Sequence, residues 1–476
     1  MRKTFLNILY NAVYQIFIVL VPLITVPYLS RVLGPKTYGI YSSVNNTVQF
    51  LMIFCGKIPK FGGFLLMKRL ILALILLVVV LITGCADAGR RDQDKKSVHG
   101  PAVTLGIERI GEYGQLFAGK RVGLITNQTG VDSKLRSSED ILLAQTDLTG
   151  IFVPEHGLFG AVAAGDDVDG AEYKGVKVYS LYGATRRPTP AMLDSIDVMT
   201  VDIQDVGARH YTYVSTMAYA MEECAKAGKK FVVFDRPNPI GGLMEGPLLR
   251  QEQASFIGLY PVPLRHGMTI GEYARYINDT QKLGLDLTVI PMKGWQRKMY
   301  WQDTGLPWVG TSPQIPTAAT ALYYVTTGIL GDTNLSVGIG TTKPFYYVGA
   351  PFAEKDAVAD KLNSLQLPGV YFRPAAFIPA YGAFAKELCQ GVEIYITDAE
   401  IYRAALTGAN ILRCIEELYP DKVVYPARYG GKGYKIDIAL GETTLRVGVP
   451  LERLLPRWDR EAQEFAEQVR PYLLYK

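Results

Sequence analysis

Glu155 stands in Pro154-Glu155-His156-Gly157, where an apolar, β-branched run is cut short by a proline and a glycine. A carboxyl group pressed into a tight turn beside an imidazole is in the kind of environment that can suit it to act as a general acid. The same residue could equally cap the next turn or pair with an arginine. Asp202 and Asp205 are the carboxylates available as its partner. Asp202 is the more structural of the two, because it falls inside a strand pattern. Asp235-Arg236 reads either as an internal ion pair or as a ligand contact. Three of the 4 histidines, His156, His210 and His266, lie in polar, turn-like surroundings. Three imidazoles could hold zinc, but neither HExxH nor any other paired ligand spacing occurs, so hydrogen-bonding roles are preferred and neither metal nor cofactor is expected. The run GIGTTK, ending at Lys343, is built like a phosphate loop without the spacing of either nucleotide fingerprint. No GxSxG elbow is present, which counts against a serine hydrolase of the α/β type.

These residues need a frame that brings them together, and the sequence supplies one. Short β-branched runs over 122–126, 149–153, 176–181, 198–203 and 230–234 alternate with helical patterns over 138–145, from 190, and over 214–227. Such alternation predicts βα units of a mostly parallel sheet in an α/β, Rossmann-like domain over 105–258. Strand ends lead into Asn127-Gln128-Thr129-Gly130, into the Glu155 turn, into Gln204-Asp205-Val206-Gly207, and into Asp235-Arg236-Pro237-Asn238. In a parallel sheet the carboxyl ends share one edge, so four polar clusters should converge there. Beyond 258 the pattern is mixed: a helix over 270–280, a strand over 287–290, a loop rich in proline and tryptophan to 316, helices over 353–365 and 398–418 beside a strand over 392–397, and an amphipathic helix from 451. Residues 259–476 are therefore expected to form a second α/β domain completing the cleft.

The chain of 476 residues carries a formal charge of +5, but residues 1–85 hold eight of the basic residues and no acidic one. The remainder has 42 basic against 45 acidic residues, which removes the electrostatic footprint of a nucleic-acid binder. The 5 cysteines, Cys55, Cys85, Cys224, Cys389 and Cys414, contain no CxxC pair. Buried free thiols are the expected state of Cys224 and Cys414, and nothing in the spacing establishes a Cys389–Cys414 bridge. Residues 12–29 are almost wholly apolar, while a second run over 48–55 is too short to span a bilayer. The segment 11–39 resembles the start of polysaccharide flippases, over about the first 54 residues only. A new pattern begins at Met67: a basic pair, Lys68 and Arg69, an apolar run over 70–82, then Thr83-Gly84-Cys85. That is a signal-peptide layout over 67–85 closed by a lipobox, with Cys85 as the lipidated residue and 86–104 as linker. Residues 1–66 are read as a flippase-like transmembrane fragment, a spurious or fused extension ahead of an extracytoplasmic, membrane-anchored lipoprotein.

The soluble region carries seven motifs in order: PEHGLFG, VYSLYGATRRPTPAML, DIQDVGARHYTYVSTM, DRPNPIGG, VPLRHGMTIGEYA, PMKGW and TGLPWVGTSPQIPT. Together they resemble the exo-β-N-acetylmuramidase family of peptidoglycan glycoside hydrolases, over about 105–474. The resemblance implies release of terminal N-acetylmuramic acid from the non-reducing ends of peptidoglycan fragments such as MurNAc-GlcNAc. It also implies that Glu155 is the catalytic glutamate. Glycoside hydrolysis ordinarily asks for a second carboxylate, for which Asp205 is the candidate, with His156 beside the acid. The lactyl carboxylate of muramic acid asks for a fixed cation, and Arg209 or Arg265 could grip it. Asn127, His210, Tyr211, Asp235, Arg236, Asn238, His266 and Lys343 complete the expected substrate contacts. Trp295, Trp301, Trp308 and Tyr213 are open to sugar stacking or to core packing. The chain departs from the family at Val337 and Ile339, where a glutamate and an arginine are common, which leaves room for a related glycosidase of shifted specificity or a non-catalytic binding lipoprotein.

Overall fold

The computed structural model describes residues 102–160, 172–183, 185–428 and 433–476. The expected segments 1–66 and 67–85, Cys85, and most of the 86–104 linker lie outside the described residues.

The first half alternates strand and helix: β1 (Arg121–Thr126), α1 (Ser138–Gln145), β2 (Asp147–Val153), β3 (Glu172–Tyr173), β4 (Val176–Ser180), α2 (Pro190–Leu193), β5 (Val198–Asp202), α3 (Tyr213–Lys226), β6 (Lys230–Phe234), the paired β7 (Glu245–Leu248) and β8 (Pro263–Arg265), α4 (Ile270–Thr280) and β9 (Leu287–Ile290). Seven strands form one sheet in the order β3-β4-β2-β1-β5-β6-β9. All neighbours are parallel except the two-residue β3, which runs against β4. Counting only parallel strands in chain order, the arrangement is 3-2-1-4-5-6, the doubly wound order whose direction reverses between β1 and β5. Both faces of the sheet are covered, which is why the β1 residues 122–126 and all of β5 are buried. Two apolar clusters result. One includes Val122, Leu124, Ile151 and Phe234; the other includes Phe152, Met199, Val201 and Phe231 and continues into the second half of the chain.

Local sequence explains the helix starts. Thr269 accepts from the Glu272 amide while Glu272 reaches back to Thr269, a capping box that opens α4. Ser137 caps α1 in the same sense, accepting from the Asp140 amide. Strand β9, beyond residue 258 where the sequence placed the start of the second half, is the sixth parallel strand of this sheet. Helix α4 is the crossover that returns the chain to pair 287–290 with β6.

The second half comprises α5 (Ala318–Thr327), β10 (Tyr347–Ala350), α6 (Lys355–Ser364), β11 (Val370–Phe377), β12 (Cys389–Ile396), α7 (Ala404–Leu418), α8 (Lys435–Leu440) and α9 (Leu451–Val469). Its antiparallel sheet has the order β10-β12-β11. Strand β11 carries Pro374, which argues against a strand when read locally but is tolerated because β11 is an edge. Helix α7 begins at Ala404 rather than 398, the intervening residues forming a turn in which the Tyr402 amide donates to Asp398 O. Among the described residues no helix is long and apolar enough to cross a membrane.

Candidate active site

The end of β2 turns sharply at Pro154–Gly157, where the Gly157 amide donates to Pro154 O. His156 takes φ 73°, the left-handed region that a side chain other than glycine rarely enters, so the turn is held against a local conformational cost. Glu155 projects from it and is 9% exposed. Thr212, the residue before α3, would ordinarily turn its hydroxyl to cap that helix; it makes no cap and instead donates to Glu155 Oε2 at 2.8 Å. The neighbouring strand end supplies Tyr182. Val153 pairs with Ser180 and the Leu181 amide donates to Val153 O, so two residues further on Tyr182 and Glu155 come side by side. Burial, then the Glu155 carboxylate, raises the Tyr182 phenol above its usual range.

At the reversal point, Thr126 of β1 is level with Asp202 of β5. Asn127 folds its carbonyl over the Thr129 amide and hydroxyl (3.0 and 2.6 Å) and donates from Nδ2 to Tyr213 Oη at 2.8 Å. Tyr213 in turn donates to Thr311 O at 2.5 Å, and Gln128 Nε2 donates to Gly310 O at 2.8 Å. Gly130 is required here: a Cβ would fall 2.0 Å from Thr126 Oγ1. The 310–311 loop is thereby tied down over the strand ends.

Asp205 lies two strands along the edge from Glu155. Its Oδ2 accepts from the Gly207 amide at 2.7 Å and stands 3.4 Å from His266 Nε2. His266 Nδ1 accepts from the Met268 amide, while its Nε2, though close to the carboxylate, makes no hydrogen bond among the described residues. Asp205 Oδ1 is buried without a partner among the described residues, as are Gln204 Oε1, Tyr211 Oη and both nitrogens of His210. The His210 ring stacks on Tyr324 with centroids 4.3 Å apart, and burial, then Arg209, lowers it to about 3, so it stays neutral. Tyr324 is the point of convergence: burial, then Tyr211 and the carboxylates Asp332, Glu155 and Asp205, holds its phenol well above the usual range.

Residues 122–319 match the family described as exo-β-N-acetylmuramidase NamZ, N-terminal, and residues 322–475 the corresponding C-terminal family. The chain belongs to the exo-β-N-acetylmuramidase family. It is 43% identical over 420 residues to the peptidoglycan β-N-acetylmuramidase NamZ of Bacillus subtilis (strain 168), covering 86% of this chain and 100% of that protein. A crystal structure of a DUF1343 family protein from Bacteroides fragilis is similar with a TM-score of 0.72 and 39% identity, over 79% of this chain and 99% of that one. A second from the same organism gives 0.62 and 28% over the same shares. Residues 5–56 match a different family, described as polysaccharide biosynthesis protein.

Several residues expected to touch a muramic acid substrate are engaged elsewhere. Arg209 is 1% exposed and gives its guanidinium to the carbonyls of Pro247, Val262, Ala439 and Leu440, joining strand ends to α8. Arg265 is fully buried against Glu245 at 3.1 Å and Ile240 O. Both guanidinium groups are thus spent mainly on acceptors within the protein, each leaving only its Nε without a partner among the described residues. Asp235 and Arg236 do not form the internal pair. Arg236 clasps Asp202 at 2.6 and 2.8 Å, whereas Asp235 accepts from the amides of Arg236 and Gly271 and from Thr269 and Tyr475. Asn238 spans Met268 O and the Ile240 amide. Asn127, fully buried, positions its neighbours and is closed to solvent. Lys343 stands on the second half and pairs with Glu393, which Arg373 also holds at 2.8 Å. Trp295 and Trp301 are buried, Trp301 edge-on to Trp308 at 4.9 Å, and serve packing. Val337 is buried and Ile339 packs against the same core.

Glu155, His156, Asp205, His210, Tyr211 and His266 are gathered at the one edge the sequence predicted. Sequence reasoning missed Thr212, Tyr182 and Tyr324. Thr212 and Tyr182 fall inside quoted motifs, and the strand register could have identified Tyr182. Tyr324 comes from a helix that was not anticipated, in a run of β-branched and aromatic residues. Among the described residues no group of three or more His, Cys, Asp or Glu could hold a metal ion.

Proposed function

We propose that this chain is an exo-acting β-N-acetylmuramidase that removes terminal N-acetylmuramic acid from the non-reducing ends of peptidoglycan fragments, with Glu155 as general acid. The observation that carries this reading is the placement of Glu155: a carboxyl group on a strained turn at the carboxyl edge, oriented by Thr212 and adjoining Tyr182. In the reaction Glu155 gives its proton to the glycosidic oxygen as the bond to the muramic acid anomeric carbon breaks, and water supplies the hydroxyl of the freed sugar. Asp205 is the second carboxyl, held by the Gly207 amide with His266 nearby and with Oδ1 left for the reacting centre. His156 shares the catalytic turn, and His210 and Tyr211 line the substrate side. Incubating the protein with MurNAc-GlcNAc should release free MurNAc, and Glu155→Gln should slow the release by about 10²- to 10⁴-fold; binding without turnover by the unaltered protein would refute the assignment.

The Cys85 lipobox supports a lipid-anchored, extracytoplasmic enzyme, the compartment in which its substrate lies. Mass spectrometry of the native protein tests this: a diacylglyceryl-cysteine N-terminus is expected, and unmodified Cys85 would overturn it.

A further inference from the structure

Arg209 and Arg265 are buried and give most of their donors to the protein, so an exposed arginine near the acid is the better placed cation for a muramic acid substrate. Two arginines follow Tyr182 on the β4–α2 loop, and the fold treats them differently. Arg187 is neutralised twice, by Glu222 at 2.6 Å and Glu223 at 2.9 Å. Arg186 has no hydrogen bond or ion pair to any acid among the described residues. It is nevertheless held: its guanidinium carbon lies 4.2 Å from the centre of the Phe256 ring and 5.3 Å from that of Tyr182, two rings 6.2 Å apart and inclined at 49°. Contact with two rings restricts the guanidinium, which bears also on the Tyr182 hydroxyl and is otherwise exposed, so donors remain for a ligand. One of the two rings is the phenol beside Glu155. An arginine that meets no acid among the described residues, in contact with two rings and one side chain away from the proposed acid, is suited to a planar carboxylate, which takes two parallel N–H donors on its two oxygens.

We propose that Arg186 is the specificity residue that receives the lactyl carboxylate of N-acetylmuramic acid, clamped for that purpose between Tyr182 and Phe256. This rests on the muramidase reading above. It assigns recognition of the substrate anion to the β4–α2 loop, on the same strand edge as the acid, and not to the buried arginines of the GARHY and LRHG motifs.

The test compares an aryl β-glycoside of N-acetylmuramic acid with the same glycoside carrying the lactyl group as its neutral amide. The unaltered enzyme is expected to favour the acid over the amide in kcat/KM by about 10- to 100-fold, the range of one hydrogen-bonded charge pair. Arg186→Ala should bring that ratio towards one by raising KM for the acid, and Arg186→Lys, which keeps the charge but not the fork, should restore only part of it. Equal losses on acid and amide, or an unchanged ratio, would overturn the proposal while leaving the muramidase reading intact. Failure of the unaltered enzyme to cleave either glycoside would overturn both.

Discussion

The hydroxyl of Thr212 donates to Glu155 Oε2 across 2.8 Å, linking the first residue before α3 to the turn after β2. The bond holds the carboxyl rotamer without supplying charge, so its loss should disturb the chemical step more than substrate capture. Thr212→Val is expected to lower kcat about 10- to 100-fold with KM nearly unchanged, as seen in steady-state release of MurNAc.

Removing the acid itself has a larger consequence. Glu155→Gln keeps the shape and the acceptor for Thr212 but cannot deliver a proton, and a loss of about 10²- to 10⁴-fold is expected, with the melting temperature little changed. A variant that kept full activity would move the acid to another residue.

Asp202 and Arg236 are both buried, at 0% and 3% side-chain exposure, and answer each other's charge at the reversal point of the sheet. Arg236→Met leaves Asp202 buried without a cation and should cost about 3–5 kcal/mol in urea unfolding. Adding Asp202→Asn should recover part of the loss, and simple additivity of the two changes would show that the pair is not coupled.

Glu139, buried at the start of α1, is raised from 4.5 to about 7 by burial and then by Asp202. Between those values the folded protein retains a proton that the unfolded chain has released, so stability falls as pH climbs from 4.5 to about 7 and then levels off. Glu139→Gln should remove that decline and stabilise the protein by about 1–3 kcal/mol at pH 8. Chemical denaturation at pH 5 and pH 8 gives the comparison; a decline that persists in the variant would place its origin elsewhere.

The thiols of Cys224, Cys389 and Cys414 are buried and unbridged, and burial pushes them up to about 12, 11 and 11. Native protein at neutral pH should leave these three positions unalkylated by iodoacetamide in peptide maps, with all three reacting after denaturation. Protection of the 389–414 pair in denatured, unreduced protein would reveal a disulfide.

The sequence by itself determined the parallel strands that carry Glu155 and Asp205 and the polar clusters at their ends, but not the helix that brings Tyr324. A β-branched run closed by a polar turn is a local signal, and parallel pairing then forces the carboxyl ends of β1, β2, β5 and β6 onto one edge. Glu155 and Asp205 were legible for that reason, and seven ordered motifs carried the family. Only the tertiary structure decided which charges were already answered. Arg236 meets Asp202 at a separation of 34 residues and not its neighbour Asp235, and Arg209 finds its acceptors 230 and 231 residues away. Buried charges take whatever partner the crossovers bring within hydrogen-bond reach, and that is a property of the assembled fold, invisible in local spacing. Among the described residues, the same assembly left Arg186 without an acid and Arg187, next to it, with two.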